Sequence, residues 1–216
     1  MDSSFDYTQW ANTPQQSRSM ESLNQLLDAT ERLLNEDDIA NINVQKISAE
    51  AGLTVGALYR RFSSKEDLLH ALHERFAERM EVLLKTLSQT AKDQKFTARQ
   101  IVRLFSQQAW GFAAEQKAFL KLTNAFSAVD SKFSERSNRL RTISFELLMP
   151  IIMSTSAEFT HPEPEKAVRF FLEMSIATTQ FRLESGYKNE YMLEEKDFLE
   201  QLELSFINYL GVKPES

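Results

Sequence analysis

The stretch of residues 43–65 constrains the fold of this chain more than any other segment. In its first half, Ile47 and Ala51 are four residues apart and share one face of a helix. Gly52 follows at the point where the helix should end, because glycine adopts the left-handed backbone conformation without a side-chain penalty. A second stretch of helical spacing begins directly afterwards. The segment therefore predicts two short helices joined by a tight turn, the helix-turn-helix unit.

The second of these helices has an outer face suited to a DNA groove. Leu58 and Phe62 are four apart and share its inner face, so a step of about 100° per residue turns Gly56 and Arg60 outward. A small residue lets the backbone approach base edges, and a guanidinium group can read guanine. In a helix-turn-helix unit, it is the second helix that enters the major groove.

The local charge favours the same partner. Within residues 43–65 four cations stand against the single anion Glu50, a local balance of 4 − 1 = +3, whereas the whole chain carries −6. A basic island in an acidic chain is the electrostatic footprint expected where phosphates bind. The four cations are Lys46, Arg60, Arg61 and Lys65.

The sequence AGLTVGALYRRFSSKEDLL, residues 51–69, resembles the N-terminal DNA-binding signature of the TetR family of transcriptional repressors. The matching features are the Ala-Gly turn, the small residue two positions after the helix cap, Leu-Tyr-x-x-Phe, and Ser-Lys-Glu-x-Leu-Leu at the start of the fourth helix. The signature covers roughly residues 18–70. The remainder of the chain is similar to the family in length and helical content only.

The resemblance implies contacts with double-stranded DNA, and the local charge adds Lys46 to the implied residues. Many family members have a histidine where Arg61 stands, which leaves open whether Arg61 serves a base or a phosphate. By position, the implied DNA contacts are Gln45, Thr54, Val55, Gly56, Tyr59, Arg60, Arg61 and Lys65.

The composition narrows the class of protein further. The chain has no cysteine, which excludes disulfides, cysteine-ligated zinc sites and cysteine nucleophiles. Only five glycines and five prolines in 216 residues favour long helices over a turn-rich β fold. No apolar run approaches the ~18 residues of a membrane span, and no signal-peptide pattern stands at the N-terminus. We therefore expect a cytoplasmic, nucleoid-associated protein without a cofactor and without a membrane partner.

Helical periodicity continues through the rest of the chain and predicts an all-α fold with two domains. Helix four should open at Ser63 or Ser64 through a capping box, span about residues 64–90 and connect the domains. Pro150 should kink the long helix over residues 131–154 or break it one turn earlier. The predicted divisions are 1–17, a flexible arm in which Trp10 either tucks against the body or makes a contact; 18–65, a three-helix DNA-binding domain; and 66–216, a larger helical ligand-binding and dimerisation domain.

His70 and His73 lie three residues apart on helix four, a spacing that metal ligands also use. Solvent-facing histidines on an amphipathic helix are the commoner arrangement, so we interpret the pair in that way and predict no metal site.

The C-terminal two-thirds holds most of the sixteen phenylalanines, with methionines and isolated polar groups interleaved. Core packing explains any single aromatic residue, but together such residues could enclose an apolar cavity. The TetR resemblance implies an effector site of this kind. The candidate ligand-binding residues are Trp110, Phe112, Phe126, Phe145, Met149, Met174 and Thr178.

The last two helices carry apolar stripes that predict a homodimer interface. A two-fold pair of recognition helices would read a palindrome with half-sites ~34 Å apart. Alternatively, both stripes pack inside one subunit. The predicted interface residues are Val168, Phe171, Leu172, Ser175, Ile176, Thr179, Phe198, Leu202 and Phe206.

Together these features predict a homodimeric, ligand-responsive transcriptional repressor that binds a palindromic operator and is released by a small, largely apolar or aromatic inducer. The chain offers no constellation of catalytic residues, so an enzyme is disfavoured. A helical adaptor or ligand-binding protein of the same fold, without operator binding, is the alternative. Gly56, Tyr59, Arg60 and Lys65 occurring together argue against it.

Overall fold

The computed structural model describes residues 3–12, 17–184 and 190–213. These residues form nine α-helices and no strand, which confirms the all-α prediction. In this part of the chain, no helix is long and apolar enough to cross a membrane. The helices are α1 (Ser17–Glu36), α2 (Val44–Glu50), α3 (Val55–Arg61), α4 (Lys65–Asp93), α5 (Ala98–Glu115), α6 (Lys117–Phe126), α7 (Ser131–Met153), α8 (Pro164–Glu184) and α9 (Glu195–Leu210).

The chain divides into two compact units. The first unit comprises Met1–Arg79 and Gln116–Arg139, and the second comprises Met80–Glu115 and Leu140–Ser216. Helices α4 and α7 therefore each supply residues to both units. The sequence also predicts a functional boundary between residues 65 and 66, and that boundary stays a prediction.

The first unit is built around α1, whose apolar stripe packs against α2, α3 and α6. Burial of this apolar surface is the main source of its stability. Its large side chains are almost completely removed from solvent, as expected from the 4-3-4 spacing of Leu23, Leu27, Thr30 and Leu34 on α1. The core includes Leu23, Leu27 and Leu34 of α1, Ile47 of α2, Leu58 of α3, Leu68 and Leu72 of α4, Leu122 of α6 and Phe133 of α7.

Helix α4 begins through the second of the two openings that the sequence allows. The backbone N–H of Asp67 donates to Ser64 Oγ at 3.0 Å, and the Ser64 hydroxyl donates to Asp67 Oδ2 at 2.9 Å. These bonds satisfy groups that a helix start leaves without intrahelical partners. The first helical residue is accordingly Lys65.

Helix α7 continues through Pro150 to Met153, so the predicted break one turn earlier is wrong. Proline removes one backbone donor, and Pro150 stands only four residues from the carboxyl end of the helix. Since only the last turn of the helix follows Pro150, few intrahelical hydrogen bonds are affected, and the helix continues to Met153.

Residues 3–12, the N-terminal segment, pack onto the first unit, in contrast to the flexible arm expected from the sequence. Phe5 is only 3% exposed, and Tyr7–Trp10 form a 3-10 turn capped by Asp6. The Trp10 ring stacks on the His70 ring with centroids 4.2 Å apart. Residues 13–16 of the expected arm lie outside the described residues.

His70 and His73 are buried, so the interpretation as solvent-facing histidines is wrong. His73 Nε2 lies 3.0 Å from Thr123 Oγ1, and its Nδ1 lies 2.9 Å from Arg136 Nη1. The pKa of His73 is held well below its usual value by burial first and then by the Arg136 guanidinium. Neutral His73 accepts at Nδ1 from Arg136 and donates at Nε2 to Thr123.

The second unit has its own core, formed where α5, α8 and α9 meet. Phe171 of α8 and Phe206 of α9 make an edge-to-face contact with centroids 4.7 Å apart, and Phe159 lies on the other side of Phe206 at 6.2 Å. Gly211 ends α9 with φ +61°, the left-handed conformation that glycine favours at the end of a helix. The sequence predicts the same role for Gly186 at the end of α8, but Gly186 lies outside the described residues.

Candidate nucleic-acid interface

Helices α2 and α3 form the predicted helix-turn-helix. Asn43 Oδ1 accepts from the Lys46 N–H at 2.9 Å and begins α2, whereas Thr54 Oγ1 accepts from the Ala57 N–H at 3.1 Å and begins α3. Between the helices, Gly52 adopts φ +66°, the left-handed conformation that the tight turn requires. Local sequence therefore fixes both helix starts and the turn between them.

The outer face of α3 is open to solvent, while its inner face is buried in the core. Leu58 is fully buried, whereas Tyr59 on the outer side is 50% exposed. Val55 is half-buried. Helices α2 and α3 are in contact with each other, and most of the predicted contact residues on them are open to solvent. The exposed members are Gln45, Lys46, Thr54, Gly56, Tyr59 and Arg60.

Gly56 is not required by packing. A Cβ built at Gly56 would meet only Arg60 Nη1 and Thr54 Oγ1, each at 3.9 Å, which is an ordinary van der Waals distance. Its backbone lies in the helix without positive φ. The free space above Gly56 instead suits close approach of the helix backbone to another surface.

The two adjacent arginines of α3 occupy different environments. Arg61 is half-buried, and its Nε donates to Ser22 Oγ at 2.7 Å, a bond that ties α3 to α1. Arg60 is exposed on the outer face beside Tyr59. Arg60 is therefore the better placed of the two to reach a base edge, and Arg61 has a role in holding the helix.

Lys65 and Lys46 both have partners within the chain. The Lys65 ammonium donates to the backbone oxygen of Ile42, and Lys46 Nζ lies 3.6 Å from Asp37 Oδ2. Hydrogen bonds from the Asn41 side chain, and then from the backbone, hold the pKa of the Asp37 carboxyl below its usual value. Because exposed ion pairs contribute little energy, phosphate could compete for Lys46.

Sequence reasoning missed Ser22 and Asn12, which also support α3. The Asn12 N–H donates to the Arg61 carbonyl oxygen at 2.7 Å. Both residues are distant in the chain from α3, so no local spacing or capping pattern indicates these contacts. Only the folded arrangement brings them to the helix.

The candidate ligand residues do not form one group. Phe126 lies in the first unit, where its ring is 5.1 Å from Phe133 in the core, and the other six lie in the second unit. Trp110 is buried, and its ring centroid is 5.3 Å from that of Phe198. Its indole N–H has no hydrogen-bond partner in the part of the chain that the structure describes. Thr178 is exposed and donates to the Met174 carbonyl at 2.8 Å. Phe112, Phe145, Met149 and Met174 are half-buried.

A cavity of about 390 Å³ lies in the second unit between α5 and α9. Five of its nine lining residues are charged, and Glu203 accepts there from Arg103 at 2.8 Å and 2.9 Å. Its lining includes none of the candidate ligand residues. It therefore gives no support to the predicted apolar site.

The predicted dimer stripes are mainly buried inside the subunit. Val168 has no exposed surface and Phe171 only 4%, so these side chains cannot supply contact area to a partner. These side chains instead pack within one subunit, the alternative that the sequence left open. The interface prediction is therefore corrected for Val168, Phe171, Leu172, Leu202 and Phe206. The half-buried members are Ser175, Ile176, Thr179 and Phe198.

Comparison with known proteins agrees with the helix-turn-helix geometry. Residues 26–72 match the family model described as bacterial regulatory proteins, tetR family. No curated protein matches the chain at a significant level.

Solved structures with the same fold are distant in sequence. A tetR-family transcriptional regulator from Streptomyces coelicolor is 15% identical with a TM-score of 0.65, covering 88% of this chain and 80% of that one. The fatty acid degradation regulator FadR from Bacillus halodurans is 15% identical with a TM-score of 0.64, covering 90% and 96%. A TetR family transcription regulator from Marinobacter aquaeolei VT8 is 19% identical with a TM-score of 0.56, covering 90% and 96%.

The similarity in structure extends over most of the chain, whereas the similarity in sequence is confined to α1–α4. The fold is the one that these solved structures share. The chain carries the N-terminal helix-turn-helix domain of the bacterial tetR family of regulatory proteins.

Proposed function

We propose that this protein is a transcriptional repressor that binds a palindromic operator as a homodimer and is released by a small, largely apolar or aromatic inducer. The observation that carries the proposal is the outer face of α3. Gly56, Tyr59 and Arg60 stand together in solvent, while the opposite face of the same helix is anchored in the core. The arrangement offers backbone approach, a hydrogen-bonding phenol and a guanidinium group to one groove. We propose no catalytic role.

The proposed dimer surface moves to the outer side of α8 and α9. Phe170 is 52% exposed, Phe181 58% and Tyr209 43%. Phe170 and Phe181 are eleven residues apart and share a helix face, and Tyr209 lies 5.6 Å from Phe170. Several large exposed aromatic side chains on one face are typical of protein–protein contact sites. A second copy of the chain is the occupant that a palindromic DNA site requires.

The proposed inducer site lies in the second unit near Trp110, with Phe198 and Arg182 beside it. The Arg182 guanidinium carbon is 4.3 Å from the Phe198 ring centroid and 5.9 Å from that of Trp110. Among the described residues, neither the buried indole N–H of Trp110 nor the Nε–H of Arg182 has a hydrogen-bond partner. Buried donors usually find an acceptor, which an aromatic ligand bearing a carbonyl or carboxylate would supply.

The inducer acts on DNA binding through linkage. If inducer lowers operator affinity by a given factor, operator DNA lowers inducer affinity by the same factor. Equal factors in the two titrations are therefore expected. An inducer affinity that operator DNA leaves unchanged would show that the two sites are not coupled.

The experiment that tests the proposal is selection of binding sequences from a random duplex library by the full chain. We expect enrichment of one two-fold symmetric sequence. The variant Gly56→Leu, whose side chain would stand in the groove, should enrich nothing. If folded wild-type protein enriches no sequence, the chain is an adaptor or ligand-binding protein of the same fold and the proposal is wrong.

A further inference from the structure

The recognition helix α3 is too short to be stable by itself. It has seven residues, whereas isolated helices shorter than about 12–15 residues are marginal in water. The last carbonyl groups of any helix also lack intrahelical partners. Within α3, the Leu58 carbonyl accepts from the Phe62 N–H at 2.9 Å. The carbonyls of Arg60 and Arg61 must find their donors elsewhere.

Asn12 supplies those donors. Its backbone N–H donates to the Arg61 carbonyl oxygen at 2.7 Å, and its side-chain amide donates to the Arg60 carbonyl oxygen at 3.4 Å. The Ser63 hydroxyl in turn donates to Asn12 Oδ1 at 3.4 Å. One residue from before α1 therefore closes the carboxyl end of α3 and joins it to the following turn.

The N-terminal segment is itself firmly attached to α4. Two residues before Asn12, the Trp10 indole N–H donates to the Glu74 carboxylate, and the Gln9 amide donates to Glu74 Oε1 at 2.6 Å. Glu74 is buried and forms an ion pair with Arg136 of α7 at 3.3 Å. A buried, ionised carboxylate needs such partners, so Glu74 is a fixed anchor for the segment.

Aromatic stacking attaches the segment to α7 as well. The His70 ring lies between Trp10, at 4.2 Å, and Phe133 of α7, at 4.5 Å. The Arg139 guanidinium carbon lies 5.0 Å from the Phe5 ring centroid. The segment thus runs from a packed attachment on α4 and α7 to the free end of the recognition helix.

We infer that the N-terminal segment is a strap that positions the recognition helix for reading DNA, with Trp10 as its anchor and Asn12 as the positioning residue at α3. The inference rests on the proposed DNA reading by α3. The strap lies outside the helix-turn-helix sequence, and its contribution is to hold the carboxyl end of α3, where Arg60 stands, in one orientation.

The test compares three variants of the full chain. Asn12→Ala removes the side-chain bonds to α3 from an exposed position and leaves the packed residues intact. Trp10→Ala releases the anchor. Thr8→Ala is the matched control, because among the described residues the Thr8 hydroxyl bonds within the segment alone, to Asp6 Oδ1 at 2.6 Å. Fluorescence anisotropy with the selected duplex and with an unrelated duplex separates specific from nonspecific affinity.

We expect about a fivefold loss of specific affinity in Asn12→Ala and about a tenfold loss in Trp10→Ala. Nonspecific affinity and the affinity of Thr8→Ala should stay within about twofold of wild type. Amide hydrogen exchange at the carboxyl end of α3 in the free protein should be faster in the first two variants. If the N-terminal segment contributes only to stability, Asn12→Ala and Trp10→Ala will lower the unfolding midpoint but leave the affinity for the selected duplex at low temperature unchanged.

The results separate the strap from the proposed function. Wild-type specific affinity and unchanged exchange at α3 in both variants would overturn the strap. If the wild-type chain itself selects no duplex, the proposed function fails, and the exchange measurement on the free protein still decides whether the segment holds α3. Trp10→Ala could unfold the first unit, and Asn12→Ala then carries the test by itself.

Discussion

The sequence predicts contact with a partner for two surfaces, the outer face of α3 and the apolar stripes of α8 and α9. In the structure the first surface is exposed, whereas the stripes are mainly buried. Gly56, Tyr59 and Arg60 stand in solvent. Val168 and Phe171 are buried within the subunit. Helix α3 was identified from its turn, its caps and the chemistry of its outward residues. The two stripes were identified only from the spacing of apolar residues along each helix. Such spacing indicates that a helix face is buried, but it does not indicate whether the same subunit or a partner covers that face.

The largest effect is expected inside the second unit. Phe171→Ala removes a ring that contacts Phe206 at 4.7 Å and should lower the free energy of unfolding by about 3–5 kcal/mol. Lys166→Ala, at an exposed position of the same helix outside the residues proposed for the dimer surface, should change it by less than about 0.5 kcal/mol. Urea denaturation of both variants measures the difference. Equal destabilisation would remove the distinction between the inner and outer faces of α8.

The next effect tests whether the α3 face is a contact surface. Gly56→Leu should lower operator affinity by at least about 100-fold, because the new side chain occupies the space needed for groove approach. The unfolding midpoint should not fall, since replacing a helical glycine usually stabilises. Gly111→Leu on α5, where a Cβ has no neighbour within 4 Å, is the matched control. Wild-type affinity in Gly56→Leu would contradict this docking.

A smaller effect should separate the two arginines of α3. Arg60→Ala should cost about 1–3 kcal/mol in operator affinity and relax base preference at one position of each half-site. Arg61→Ala loses the bond to Ser22 and should instead lower the unfolding midpoint. Binding to a set of single-base operator variants, with thermal unfolding in parallel, checks both outcomes. A relaxed base preference in Arg61→Ala alone would exchange the two roles.

The smallest effect concerns the buried side of the first unit. Since burial lowers the pKa of His73 in the folded protein, the unfolded chain takes up the proton first as pH falls below about 6.5. The stability it contributes is complete above that pH and is lost on acidification, by up to about 1.4 kcal/mol per pH unit. Burial lowers the pKa of His70 in the same direction, against the opposing charge of Asp130.

The measurement is the urea midpoint of wild type and His73→Gln between pH 7.5 and pH 5.5. The wild type should lose more stability on acidification than the variant, because the variant has one less buried histidine to protonate. Parallel profiles for the two proteins would show that His73 does not remain neutral in the folded state.

The sequence predicted what local chemistry determines. Asn43 and Thr54 are residue types that favour helix starts, and each begins its helix; Gly52 takes the left-handed conformation that the sequence predicts. Each of these outcomes depends on residues within one turn of the chain, so spacing is sufficient to foresee them.

The sequence does not predict contacts between residues that are far apart in the chain. Trp10 and His70 are sixty residues apart, and nothing in the spacing of either indicates that their rings stack. The aromatic side chain of Phe126 would suit the lining of a cavity, yet it packs beside Phe133 in the core of the first unit. An aromatic residue fits a core or a cavity equally well, and only the positions of neighbouring helices decide between them.

The most direct test of DNA reading by α3 is amide hydrogen exchange of the full chain with and without its selected duplex. We predict that DNA slows exchange in α3 and in the first turn of α4, around Lys65, while the outer faces of α8 and α9 are unchanged. Exchange in α3 that DNA leaves unaltered, with protection elsewhere in the chain, would contradict the assignment of this face as the DNA-binding surface.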